Sequence, residues 1–161
     1  MFRMTSDAVK ALQPASATKS TPGVANRPSR LDHVHSVLGM EQILFHLTAA
    51  DLNVLTDQAF IKRWNFANYL ISRIHMTNAS GSITAADGGI YQAAAKAGNA
   101  LVAAAQVYTT IDAVTKGMDL TLTAFAKGVL TATPILSLTG TQGGAMTADI
   151  YILGVPLTEG V

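Results

Sequence analysis

The sequence predicts an all-β protein, an antiparallel β-sandwich or barrel that follows an extended N-terminal arm. Several short segments after residue 40 alternate apolar and polar residues with a period of two, which places the two kinds on opposite faces of a strand. Turn signals rich in Gly, Asn and Asp separate these segments, as in antiparallel sheets. Residues before 40 have a different composition. We therefore expect a basic arm over residues 1–40 and a β-sandwich domain over residues 41–161.

The arm is predicted from composition and charge. Ala, Ser, Thr, Pro, Lys and Arg dominate residues 8–30, and such a stretch cannot bury enough apolar area to offset the entropy lost on ordering. Residues 1–40 hold five basic and two acidic side chains, a net charge of +3, whereas residues 41–161 hold six and eight, a net charge of −2. The arm, with Arg27 and Arg30, either lies on an acidic neighbour or on packaged nucleic acid, or is a solubilising tail.

The strands of the second part are predicted from apolar periodicity. Alternation, with apolar residues on one face, occurs in residues 43–48, 119–123 and, after Pro134, 136–139. Residues 69–76 and 150–155 are apolar on both faces, which indicates strands in the centre of a sheet or against a neighbouring subunit. Turns are expected at residues 50–51, 78–81, 87–89, 116–117 and 143–144.

An alanine-rich segment, residues 92–106, is compatible with two structures. Alanine favours a helix over residues 93–108. The alternative is a hairpin with strands at residues 89–95 and 100–108 and a turn at residues 96–99. The hairpin is favoured because Gly98 and Asn99 interrupt the run and no N-cap residue precedes Gln92.

Composition limits the classes of function. The chain is 49% hydrophobic and 13% charged, which excludes disorder for most of it and disfavours nucleic-acid binding by the core, so no sequence-specific nucleic-acid partner is expected. The absence of cysteine excludes disulfides and cysteine-ligated metals. No apolar stretch approaches the roughly 20 residues that span a bilayer, and no signal peptide is evident, so we expect cytoplasmic synthesis and no membrane partner. So few charges suggest a surface that meets other protein.

Motifs of catalysis or cofactor binding do not occur in the sequence. His33 and His35 have the spacing that places two rings on one strand face, and Asp32 and His46 are the residues that would have to complete a metal site. A polar pair near the arm junction is the favoured interpretation. The glycine-rich residues 140–144 lack the lysine of a phosphate loop and are interpreted as a turn. We expect no catalytic residue, no cofactor and no metal, and hence a protein that is not an enzyme.

Four aromatic residues, Phe60, Trp64, Phe66 and Tyr69, lie within ten positions of one another. Such a cluster is either a platform on which a glycan stacks or an anchor in a core or interface, and the anchor is favoured. We assign the four residues, together with Arg27 and Arg30, as candidate interface residues. Arg73 and His75 share one face of a predicted strand, where they meet an acidic partner surface or solvent.

Four turn-and-strand segments carry a resemblance to a known class of protein. They are residues 56–60 (TDQAF), 68–71 (NYLI), 88–91 (GGIY) and 147–151 (TADIY). In their succession, residues 42–156 resemble small β-sandwich structural proteins of tailed bacteriophages, which include head decoration, or cement, proteins. The resemblance implies a jelly-roll-like topology and a symmetric homo-oligomer, a dimer or a trimer.

The resemblance also implies a function. The implied function is that of a virion structural protein on the capsid surface. Such a protein binds the major capsid protein as its partner and clamps neighbouring capsomers. Because cement proteins act through surfaces, no functional residue is transferred from the class. Two rivals stay open: a tail or head-fibre module that recognises a receptor or glycan through residues 60–69, and an enzyme whose polar residues gather in a pocket.

Overall fold

The computed structural model describes residues 40–111 and 115–159, which form two antiparallel sheets. The strands are β1 (Gln42–Asp51), β2 (Gln58–Ala59), β3 (Ile61–Lys62), β4 (Phe66–Thr77), β5 (Asp87–Tyr91), β6 (Ala100–Val102), β7 (Met118–Asp119), β8 (Ile135–Gly140) and β9 (Thr147–Glu159). A short 3₁₀ helix, Phe125–Lys127, precedes β8. The described residues contain no α-helix, and the predicted all-β class is confirmed. The predicted arm, apart from Met40, lies outside the described residues.

The first sheet has five strands in the order β3-β1-β9-β4-β7, and the second has four in the order β2-β8-β5-β6. Strand β9 is the centre of the first sheet, as its doubly apolar sequence predicts, and it pairs along its length with β1 and β4. Strand β4 contains the second doubly apolar segment and lies one place from the edge, beside the two-residue β7. Apolar side chains of both sheets form one core.

Strand β1 departs from simple alternation. A register shift against β9 falls between Ile43 and Phe45, so Leu44 and Phe45 are both fully buried. A bulge of this kind adds one residue and reverses the faces of the residues on either side of it. Ile43 was predicted on the same face as Phe45, but it lies on the opposite face and is 37% exposed.

The alanine-rich segment is a hairpin, as favoured above, and not a helix. Its strands are shorter than predicted, since β5 ends at Tyr91 and β6 at Val102. Strands β5 and β6 pair antiparallel, and the chain between them turns through Ala95 and Lys96, which have φ angles of 56° and 58°. Gly98 follows with a φ of 71°. Left-handed backbone at these residues is incompatible with a right-handed helix, and alanine propensity alone does not outweigh the pairing of the two strands.

Other predictions of local structure are wrong. Residues 50–51 were expected to form a turn but are the last two residues of β1. Residues 87–89 were expected to form a turn but begin β5, where Gly88 allows close approach: a Cβ there would stand 2.6 Å from the Cα of Leu138. Residues 119–123 were expected to form a strand, yet β7 ends at Asp119. Asp119 pairs with β4 of the first sheet, and Leu122 bridges to β6 of the second. The chain therefore passes from the first sheet to the second between these two residues.

Candidate functional site

The predicted aromatic cluster is mostly core. The rings of Phe45, Phe66 and Tyr69 meet edge to face with centroids 5.0 to 5.5 Å apart. The Tyr69 hydroxyl donates to the carbonyl of Ala132, and burial raises the pKa of this tyrosine. Phe60 is also buried. Of the two anchor roles weighed for Phe60, Phe66 and Tyr69, the structure shows the core role.

Trp64 differs from the rest of that cluster because it is 51% exposed. It follows β3, at the edge of the first sheet. Trp64 is therefore not a core anchor, and the interface role weighed for it stays a prediction. The nearby Nζ of Lys62 lies 4.5 Å from the centroid of a different ring, that of Phe66. Trp64 is therefore a surface aromatic side chain beside a buried aromatic cluster.

Other predicted site residues fall outside the described part of the chain. Arg27 and Arg30 belong to the arm, and His33 and His35, the candidate metal pair, precede residue 40. His46 is described and lies on β1, where its Nδ1 is buried without a hydrogen-bond partner among the described residues. Within residues 40–111 and 115–159 no three metal-ligating side chains come together.

Strand register places a polar row across the face of the first sheet that points away from the core. His46 on β1 lies opposite Tyr151 on β9, Tyr151 lies opposite His75 on β4, and His75 lies opposite Asp119 on β7. Side chains that are directly opposite in a sheet share a face. At the end of the row, Asp119 Oδ1 lies 2.7 Å from His75 Nδ1. We call this face of the five-stranded sheet the outer face.

The rest of the outer face is largely apolar. Along β9, half-buried Tyr151, Leu153 and Val155 alternate with buried residues, and Leu157, at 36% exposed, continues the series. Ile43 lies opposite Leu153 on one side, and Ile61, which is 57% exposed, lies opposite His46 on the edge strand. The outer face therefore presents a continuous apolar ladder along the central strand, with charged groups beside it.

A depression of about 260 Å³ lies in the outer face where three strands meet. Ile43 of β1, Arg73 and His75 of β4, and Tyr151 and Leu153 of β9 line it. The predicted common face of Arg73 and His75 is confirmed, since both side chains reach the same depression. Within the described residues, Arg73 has no ion pair and the Tyr151 hydroxyl has no hydrogen bond. The depression thus combines apolar walls with an unpaired guanidinium and an unengaged hydroxyl.

A second polar cluster joins three segments of the other sheet. Asp57, just before β2, accepts hydrogen bonds from the hydroxyl of Ser137 on β8 and from the backbone N–H of Ala95 in the β5–β6 turn. These two hydrogen bonds, the Ser137 one foremost, hold the pKa of Asp57 below its usual value of 3.8, and the charge of Lys96 adds to them. Because Ser137 is fully buried, we interpret this cluster as a structural tie.

Comparison of the chain with family models, with curated proteins and with solved structures found no match. Among the described residues, no helix is long and apolar enough to cross a membrane.

Proposed function

We propose that the chain is a non-enzymatic virion structural protein, a decoration or cement protein that binds the head shell of a tailed bacteriophage and stabilises contacts between neighbouring capsomers. The observation that supports this proposal best is the apolar ladder of the outer face, formed by Tyr151, Leu153, Val155 and Leu157 beside Ile43. The resemblance of the four turn-and-strand segments supplies the class of protein.

A decoration protein binds many identical places on a shell, so a modest interface suffices when several copies act together. Apolar, charge-poor sheet faces suit such an interface because few charges lose water on binding. In this proposal the chain is a homo-oligomer, a dimer or a trimer, of jelly-roll-like topology, located on the capsid surface. Its partner is the major capsid protein, and the arm, with Arg27 and Arg30, reaches a neighbouring subunit and orders on contact.

Binding to shells tests the proposal. The purified chain is mixed with shells of the phage that encodes it, and bound protein is measured after sedimentation. We expect saturable binding at a fixed ratio to the major capsid protein. Leu157→Glu, which adds a charge to the outer face, should reduce binding at least about tenfold, the order of effect expected from burying an unpaired charge.

Leu55→Glu is the matched control for that variant. Leu55 is 59% exposed and lies in the loop between β1 and β2, outside the strands that form the outer face, so this change should leave shell binding unaltered. Absence of saturable binding by the unmodified chain would contradict the decoration function. Normal binding by Leu157→Glu would contradict the role of the outer face.

One observation favours a second candidate, a tail or head-fibre module that recognises a receptor glycan. Trp64 is half-exposed, and a sugar ring stacks on an aromatic ring of that kind. Binding to a glycan array that is lost in Trp64→Ala, with no binding to shells, would support this candidate.

A further inference from the structure

We propose that the depression in the outer face binds a carboxylate, and that its occupant is an acidic side chain of a partner protein, flanked in the partner by apolar residues. The depression is lined by Ile43, Arg73, His75, Tyr151 and Leu153. The chemistry of this lining, the apolar surface beside it and the charge around it point to that occupant.

Arg73 is the group that would hold the carboxylate. Its guanidinium is a planar fork of donors that matches the two oxygens of a carboxylate. Arg73 follows a register shift in the pairing of β4 with β9, between Ile71 and Arg73, and lies opposite Leu153. The Tyr151 hydroxyl, the second polar group of the depression without a partner among the described residues, is placed to donate a further hydrogen bond.

Two acidic groups close to Arg73 already have hydrogen-bond partners. The carboxylate of Glu41 accepts a hydrogen bond from the hydroxyl of Ser72, the residue before Arg73. The carboxylate of Asp119 accepts a hydrogen bond from Nδ1 of the His75 ring. The other ring nitrogen, Nε2, packs against Gly117, where an added Cβ would lie 2.7 Å from it. His75 is thereby fixed as a wall of the depression, and Arg73 is the cation of its lining that has no ion pair among the described residues.

The surroundings of the depression favour a partner's side chain over a free ligand. Its volume of about 260 Å³ lies near the lower end of small-molecule pockets, which hold roughly 300–1,000 Å³. Ile43 and Leu153 form apolar walls, and the apolar ladder continues beyond them toward Leu157, so residues beside the carboxylate in a partner would meet apolar surface. A phosphate backbone fits less well, because it requires several cations and residues 41–161 carry a net charge of −2.

Two peptides that differ in one group test the proposal. Acetyl-Leu-Glu-Leu-amide and acetyl-Leu-Gln-Leu-amide are titrated into the isotope-labelled full-length chain, and backbone amide shifts are followed by NMR. We expect the Glu peptide to shift the amides of residues 43, 73, 151 and 153, and to bind at least about fivefold more tightly than the Gln peptide, as a charge-assisted contact requires.

Variants assign the effect to the proposed groups. Arg73→Gln should remove the preference for the Glu peptide, and Tyr151→Phe should weaken it. Lys127→Gln removes an exposed positive charge at the 3₁₀ helix, away from the depression, and should leave the titration unchanged. Equal binding of the two peptides, shifts confined to another surface, a preference retained by Arg73→Gln, or no shifts at all would each overturn the proposal. The titration needs no phage shell, so its failure is distinct from failure of the decoration function.

Discussion

Removal of the Asp57 carboxylate should destabilise the protein more than removal of the hydroxyl that donates to it. Asp57 is an exposed residue whose carboxylate bonds the buried hydroxyl of Ser137 and the Ala95 N–H. In Asp57→Ala the Ser137 hydroxyl loses the single acceptor that the described residues give it. A buried polar group left without a partner costs about 1–3 kcal/mol, so we expect a loss of that size.

Ser137→Ala should be milder. It removes the buried donor as well as the hydrogen bond, and the exposed carboxylate of Asp57 binds water instead, so the expected loss is about 1 kcal/mol or less. The double variant should be no less stable than Asp57→Ala alone, because its buried hydroxyl is gone. Such non-additivity is the signature of a direct contact.

Urea denaturation of the full-length chain measures these differences, with an unchanged slope as the control for an unchanged transition. Equal losses for Asp57→Ala and Ser137→Ala, or additive losses in the double variant, would refute the reasoning.

The same contact predicts a pH dependence. Because the pKa of Asp57 is lowered on folding, its stabilisation is present above the usual pKa of 3.8 and is lost as the pH falls through the folded value. The stability difference between the unmodified chain and Asp57→Asn should therefore shrink in that acidic range.

Three further predictions concern the sheets and the arm. Gly154→Ala places a methyl group against the carbonyl oxygen of Leu70 in β4, so it should lower the free energy of unfolding, measured in urea, by about 3 kcal/mol, the upper range for overpacking. In the control Gly144→Ala the added methyl group meets nothing within 4 Å, so the free energy of unfolding should change little. Phe66→Ala should lower the free energy of unfolding by about 3–5 kcal/mol and the melting temperature with it, because Phe66 is buried. Trp64→Ala should lower the melting temperature far less, because Trp64 is half-exposed, and similar decreases for the two variants would contradict the core assignment of Phe66. Deletion of residues 1–40 should leave a folded domain with weaker attachment to shells, and equal occupancy with and without the arm would contradict its proposed role.

Alternation predicted strand β8, and a doubly apolar run predicted the central strand β9. Leu136 and Leu138 of β8 are buried as their pattern indicates, and the apolar run of residues 150–155 lies in the central strand. The first follows from a local rule, since side chains alternate along a strand. In the second, the residues of β9 that face the core are buried, and those on the outer face are half-buried between β1 and β4. Gly98 likewise marked the turn of the β5–β6 hairpin.

The features that sequence reasoning missed depend on the register between strands. The bulge that exposes Ile43 and the passage of the chain between sheets after Asp119 arise from pairing with distant segments, which alternation does not encode. The depression is missed for the same reason, because it joins β1, β4 and β9. The shared face of Arg73 and His75 was predicted from spacing within one strand, but their proximity to Tyr151 required the register of β9 against β4.

The copy number of the chain in purified phage particles tests the proposed function most directly. Quantitative mass spectrometry against the major capsid protein provides it. A decoration protein that clamps neighbouring capsomers should be present in dozens to hundreds of copies for each particle. A handful of copies would contradict that role and favour the tail or fibre candidate, and complete absence from particles would contradict a virion function altogether.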